Sequence, residues 1–491
     1  MSYSPLIVST EPQLIAYVDR LAGDLGTLEE VLHSELEGVF SGVHLLPFYP
    51  PIDGSDAGFD PADHTAVDPR LGNWNDVARI AAGHRLMADL IVNHISSDSS
   101  QFQDWIAQGA ASKFDGMFLT RDRVFPDGAS QEELDQIYRP RPWPPFTTYE
   151  IAGEPREIWT TFTSKQIDLD VNHPSAWAYL MTVLDRFREA GIDLVRLDAI
   201  GYAIKKPGTT SFMIPECFDF IKRITGATRQ RGMDVLVEIH SHHRFQLDVA
   251  GQVDRIYDFA LPPLVLYGLL FGDAAPLGRW LEIAPRNSVT VLDTHDGIGM
   301  VDVAPEGNEP GLLTATQVDR LVASIHTASG GTSVKASGSA AMNLDSYQIN
   351  CTFYDAVGRD DDAHFLARLI QLLVPGIPQV YYAGLLAAPN QVALLANTGV
   401  GRDLNRPYYD AESRRIALGK PVVRASLALI RWRAQHDAVF QGAFTCKAWD
   451  STLWLGWESR AGTLKAEIDL ADRSFCVELD GEQIVEPNGF R

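Results

Sequence analysis

Little in this sequence offers a covalent cross-link. Four cysteines (Cys217, Cys351, Cys446, Cys476) are scattered through 491 residues with no CxxC pair. Two disulfides are formally possible, but the wide spacing favours small apolar thiols in a reduced chain. Long apolar runs are missing as well. No stretch approaches the ~20 apolar residues that span a bilayer. The opening MSYSPLIVSTEPQLIAYVDR lacks a basic segment followed by an apolar one. A cytoplasmic protein without a membrane partner is expected. Positive charge is scarce, at 41 Lys and Arg against 64 Asp and Glu, a net −23. Such a surface repels nucleic acid and anionic lipid. It still allows a small anionic substrate, because a local cluster of Arg and His can reverse the field in one pocket.

What is present is an alternation. The 45% hydrophobic content is enough for a large core. Strands are expected in PQLIAYVDRL, GVHLLPF and RLMADLIVNH, with helices TLEEVLHSELEGVF and WNDVARIAAGH between them. Thr27 and Glu30 are spaced as a capping box for the first helix. The pattern resumes with helix PSAWAYLMTVLDRFREAG, then strands GIDLVRLD, DVLVEIH, RIYDFAL, SVTVLDTHD and PQVYYAG. Eight strands alternating with helices predict an α/β fold, a (β/α)₈ barrel. The barrel parts fall in 1–91, 173–297 and 359–441. Residues 92–172, rich in Pro, Gly and aromatics, read as an inserted domain, and 298–358 as a second insertion. Residues 442–491 alternate in short segments, which suggests a small antiparallel β domain.

Barrels of this type place their chemistry at the C-terminal ends of the strands. Asp198 follows LVRL, Glu238 follows VLV, and VTVLDTHD ends at His295 and Asp296. One acid after an apolar strand is usually a helix N-cap or a solvated loop residue. Three at equivalent strand ends, with Arg196 on the face of Asp198, point to a site. Burying them needs pairing, and Arg196 is expected to keep Asp198 ionised. Two chemistries fit: a Mg²⁺ cage for proton abstraction, or glycosyl transfer by two working carboxyl groups. None of these strands ends in the lysine that a cage chemistry would want. The aromatics Tyr49, Phe59, Phe162 and Tyr202, with His94, His240 and His295, suit a sugar better.

DLIVNH (Asp89–His94), GIDLVRLDA (Gly191–Ala199), VEIH (Val237–His240) and VLDTHD (Val291–Asp296) resemble the four signature regions of the α-amylase-type glycoside hydrolase family, in order. More narrowly, LPFYPPIDGSDAGFDPADH, IYRPRPWPPFT, YDFALPPLVL and NLDSYQIN are similar to the sucrose phosphorylase branch of that family. The similarity runs to about Gln435.

The resemblance implies a retaining double displacement, with Asp198 as nucleophile, Glu238 as acid/base and Asp296 as transition-state stabiliser. It implies that Asp56 and Arg406 clamp the far sugar hydroxyls, that His94 and His295 donate to nearer ones, and that Arg196 partners the nucleophile. Phe59 and Phe162 would form an apolar platform, Gln166 a polar edge, and Asp345 and Gln348 further substrate contacts. Arg141, Tyr202, His240 and Tyr347 would meet phosphate or the leaving sugar, through movement of the loops YRPRPW and NLDSYQIN. The implied partners are sucrose and phosphate as co-substrate, with no metal and no cofactor; a homodimer is compatible with it. Ser346 and the pair His242–His243 depart from the branch's usual residues and bear on acceptor choice. Sister phosphorylases for sucrose 6′-phosphate, glucosylglycerol or glucosylglycerate, or a sucrose hydrolase or transglucosylase, are the alternatives. A phosphorylated acceptor should need a cation near Pro140 or Tyr347, and neither position is basic.

Overall fold

The computed structural model describes residues 9–54, 56–141, 143–336 and 348–485. Eight short strands close a barrel: β1 (Gln13–Ala16), β2 (Gly42–Leu45), β3 (Arg85–Ile91), β4 (Leu194–Asp198), β5 (Asp234–Val237), β6 (Arg255–Asp258), β7 (Ser288–Thr290) and β8 (Ile377–Tyr381). Each pairs in parallel with the next in chain order, and β8 returns to β1 with Gln13 opposite Gln379. The strands are buried almost throughout, as a sheet covered on both faces requires. Helices between the strands supply the outer cover. Pro174 opens the helix Pro174–Glu189, and Gly191, at φ +81°, turns the chain from it into β4.

Several elements are shorter than the apolar runs suggest. β1 ends at Ala16, and Val18–Leu21 is a helical turn that carries Arg20 into contact with Asp403 at 2.9 Å. β7 stops at Thr290, and beyond it Asn405 Nδ2 donates to the Thr294 carbonyl at 3.0 Å in place of a ladder bond. The first long helix is Leu25–His33, so Thr27 lies inside it. Asp24 is the cap, accepting from the Thr27 N–H at 2.7 Å, and the expected Thr27–Glu30 capping box does not form. Asp is the stronger cap, and here it precedes the turn.

Between β3 and β4 the chain makes the hairpin Phe146–Ile151/Glu154–Trp159 and pairs His94–Ser96 with Gln166–Asp168. After β7, Ile298–Gly299 pairs with Gln348–Ile349, and this second insertion holds the helix Ala315–Ala328. The long segment after β8 contains the helices Val392–Thr398 and Ala411–Leu418. The last five strands, from Ala443 to Val485, form one antiparallel sheet. It docks on the barrel's outer helices, with Trp457 Nε1 donating to the Leu373 carbonyl at 2.7 Å.

Candidate active site

At the C-terminal mouth of the barrel one guanidinium gathers four acids. Arg196 Nη1 bonds Asp198 Oδ1 at 2.9 Å and also meets Asp89. Its Nη2 lies 3.0 Å from Glu238 Oε1 and 3.8 Å from Asp296 Oδ2. β3, β4, β5 and the segment after β7 therefore converge on one side chain. Asp89 has a second partner in His44 from β2, at 2.8 Å. Burial alone would raise the Asp89 carboxyl; Arg196 and His44 outweigh it and hold it at about 2.

Asp198 behaves differently from expectation. Burial and the neighbouring Glu238 charge push its carboxyl well up, and Arg196 opposes them only in part. Arg196 offsets the burial only in part because it is divided among four carboxylates. The Asp198 carboxyl therefore lies above the usual carboxylate range. Asp296 goes the other way. Burial is overcome by Arg402, His295 and Arg196, which hold it well below the ordinary range. Arg402 Nη1 is 2.8 Å from Asp296 Oδ1.

These groups open into one cavity at the mouth of the barrel. On one wall the Phe59 ring lies parallel to His295 at 4.6 Å. His94 Nε2 donates to the Phe59 carbonyl at 2.9 Å, and the buried Gln166 amide lies 3.0 Å from the same nitrogen. Burial lowers the His94 imidazole to about 4 and holds His295 well below its ordinary value, so both are neutral near pH 7. Asp56 sits between Arg141 at 3.2 Å and Arg402 at 3.5 Å. Burial would raise Asp56, but Arg402, Arg141 and Arg406 hold it at about 2. Arg141 also lies over the Phe162 ring at 5.4 Å.

The opposite wall begins right after β4. Ala199 adopts φ +52°, a strained choice for a residue with a Cβ. This turn aims its N–H at Glu238 Oε2, 3.2 Å away, and starts the short 3₁₀ segment Ile200–Tyr202 that brings Tyr202 to the cavity. His240 stacks on Phe259 at 3.8 Å and lies 3.4 Å from Asp302. Burial would lower its imidazole, but Asp302, Glu238 and Asp296 together raise it.

Comparison with known proteins agrees with this arrangement. The family model for the alpha amylase catalytic domain matches residues 22–249. The chain is 54% identical to a sucrose phosphorylase of Agrobacterium vitis over 449 residues, 91% of this chain and 92% of that one. It is 46% identical to a sucrose phosphorylase of Bifidobacterium adolescentis, over 91% and 90% of the two chains. The chain belongs to the sucrose phosphorylase family. The solved structure of a family member, the sucrose 6F-phosphate phosphorylase from Thermoanaerobacter thermosaccharolyticum, superposes with a TM-score of 0.88 at 34% identity, covering 98% of each chain.

Of the residues that the family resemblance singles out, thirteen line the cavity: Asp198, Glu238 and Asp296; Asp56, Phe59 and His94; Phe162, Gln166 and His295; Arg141, Tyr202, His240 and Gln348. Arg196 lies beneath them as their shared partner. Arg406 does not reach the wall. Its Nε donates to the His295 carbonyl at 2.9 Å and its Nη2 is 3.8 Å from Asp56, so it supports the wall from behind. Asp345, Ser346 and Tyr347 lie outside the described residues. The family departure at His242–His243 falls away from the cavity: His242 caps the helix His243–Ala250, and His243 meets Trp280 edge-on.

Sequence reasoning missed Arg402, Asp89 and Asp302. Asp89 carried a visible signal, a carboxylate inside the apolar run of MADLIVNH, of the same kind as Asp198. Arg402 and Asp302 lie in aperiodic segments and carried none. Ligand atoms of Glu238, His240 and Asp296 lie within 4.8 Å of one another, close enough to hold a cation. Arg196 and Arg402 already bring positive charge to two of them, so a divalent ion there would face two guanidinium groups.

Proposed function

We propose that this chain transfers a glucosyl unit from sucrose to phosphate with retention, giving α-glucose 1-phosphate and fructose. In this reading Asp198 attacks the anomeric carbon as the bond to fructose breaks, and Glu238 gives the departing oxygen its proton. A phosphate oxygen then attacks the glucosyl-enzyme, its proton passes to Glu238, and Asp198 is freed. The reactive form has a proton on Glu238 and Asp198 as carboxylate. Asp296, held ionised by Arg402, stabilises the positive charge that develops on the sugar ring. Arg141, Tyr202 and His240 line the acceptor side, Asp56 and Arg402 the far end of the glucosyl unit. Inorganic phosphate is the only co-substrate and no metal takes part.

The observation that carries this reading is the sharing of Arg196 between Asp198 and Glu238 in the cavity that Arg141 also lines. The names of the two relatives above support the donor. The test is release of glucose 1-phosphate from sucrose with and without phosphate, run beside sucrose 6′-phosphate, glucosylglycerol and glucosylglycerate, and repeated in EDTA. Phosphate-dependent product from sucrose, unchanged by EDTA, is expected. Equal glucose release with and without phosphate would refute the phosphorylase reading.

A further inference from the structure

The loop after β5 and the start of the second insertion are tied together at four points. His240 Nδ1 lies 3.4 Å from Asp302 Oδ2, and Gln246 Nε2 donates to Asp302 Oδ1 at 3.2 Å. His242 Nε2 donates to the Pro310 carbonyl at 3.0 Å, and Arg244 pairs with Glu306 at 2.8 Å. Of the four, the first joins a fully buried carboxylate to a ring that lines the main cavity. Burying a carboxylate is costly unless it is paired, and the chemistry proposed above makes no use of Asp302.

The His240 ring is held in one orientation. Its face stacks on Phe259, with centroids 3.8 Å apart and planes 16° from parallel. A carboxylate only accepts, so the Nδ1 that meets Asp302 carries a proton. Nε2, on the other edge, lies 3.8 Å from Glu238 Oε1. Gly299 leaves room for this approach. A Cβ there would stand 2.3 Å from Asp302 Oδ2 and 3.2 Å from His240 Nδ1, so any side chain would displace the carboxylate. Gly299 pairs with Gln348, which also lines the cavity. Burial disfavours the imidazolium, but Asp302, Glu238 and Asp296 together outweigh it. We propose that Asp302 is a positioning residue for the acceptor step: it orients His240 so that the Nε2–H faces the phosphate position beside Glu238. The identity of that acceptor rests on the phosphorylase reading above. An anion depends on such a charged donor more than a neutral sugar does.

Asp302→Asn, on the full chain, keeps the size and removes the charge. The phosphate KM should rise about tenfold, the scale of one charge-assisted hydrogen bond. The burst of fructose, which precedes phosphate attack, should slow by less than that. The effect should run through His240: in a His240→Gln background, Asp302→Asn should add less than about twofold. Gly299→Ala crowds Asp302 away from the ring with every charge still in place, and should raise the phosphate KM in the same direction. An unchanged phosphate KM in Asp302→Asn overturns the proposal; if that variant does not fold, Gly299→Ala decides in the same way. A full tenfold loss in the His240→Gln background also overturns it, and would make Asp302 a brace for the insertion. Should native protein make no glucose 1-phosphate, the phosphorylase reading fails, while nitrogen NMR of the His240 ring, assigned by its loss in His240→Gln, still decides the orientation. A protonated Nδ1 whose signal moves in Asp302→Asn supports it, and a bare Nδ1 in the native protein refutes it.

Discussion

Arg402 Nη1 stands 2.8 Å from Asp296 Oδ1 and 3.5 Å from each carboxylate oxygen of Asp56. One guanidinium therefore joins the segment after β7 to the loop after β2, and fixes two carboxylates on the same wall. Arg402→Ala should lower kcat/KM for sucrose by about 10²–10³, the usual scale for losing one preorganised charge contact. Arg402→Lys should recover only part, because an ammonium is a point charge without the planar fork. Steady-state kinetics, with a melting curve to confirm folding, check this; native kinetics in Arg402→Ala would remove Arg402 from the site.

Glu238→Gln removes the proton donor while keeping size and shape. Turnover of sucrose should fall by roughly 10²–10⁴. A glucosyl donor with an activated leaving group needs no protonation in the first step and should lose far less in that step. A burst measurement with each donor separates the two cases. Equal losses would contradict the assignment of Glu238 as the acid.

Asp198 stores an instability with a defined pH signature. A free carboxyl titrates near ~3.9 when unfolded, while burial and the Glu238 charge raise it in the folded chain. Between those two values the folded state holds a proton that the unfolded state has lost. Stability therefore falls as pH rises through that window. Asp198→Asn cannot titrate, so it should be inactive yet melt at a higher temperature than the native protein at pH 7. The gap should close below about pH 4. A variant that melts lower at pH 7 would show that Asp198 contributes more as a partner of Arg196 than it costs as a buried acid.

The cysteines should sort by burial. Cys217 and Cys351 are buried and pushed up to about 12, whereas Cys476 is exposed. Native protein should react quickly at Cys476, slowly at the half-buried Cys446, and not at the other two. All four should react once the chain is unfolded, with or without prior reduction. Mapping the label by peptide mass decides it, and fast labelling of Cys217 would contradict the packing around β4.

The barrel was legible because its strands are fully covered and so read as apolar runs, interrupted only where a charge is needed. Asp198, Glu238 and Asp296 each follow such a run, which is why their shared site could be read from spacing. The limits of the strands were not legible. β7 ends at Thr290, and beyond it the Thr294 carbonyl is held by Asn405, more than a hundred residues away, a contact that no local pattern encodes. Arg402 was missed for the same reason: its partners lie on distant segments, and its surroundings lack any period. The raised Asp198 carboxyl was not legible, because a sequence shows that Arg196 is near but not how many acids divide it. The raised group is a property of the whole cluster.

The seam of the barrel joins the two ends of the folding problem. β8 pairs with β1, and beside that seam the Thr10 hydroxyl bonds Asp437 at 2.6 Å across a separation of 427 residues, while Arg433 bonds the Thr10 carbonyl at 3.0 Å. A chain growing from the ribosome cannot make these contacts until nearly all of it has been synthesised. β1 therefore waits, one edge unpaired, through most of translation. An exposed strand edge of this kind is what holding chaperones shield, so yield in a cell should depend on them even though the finished barrel has no edge to protect.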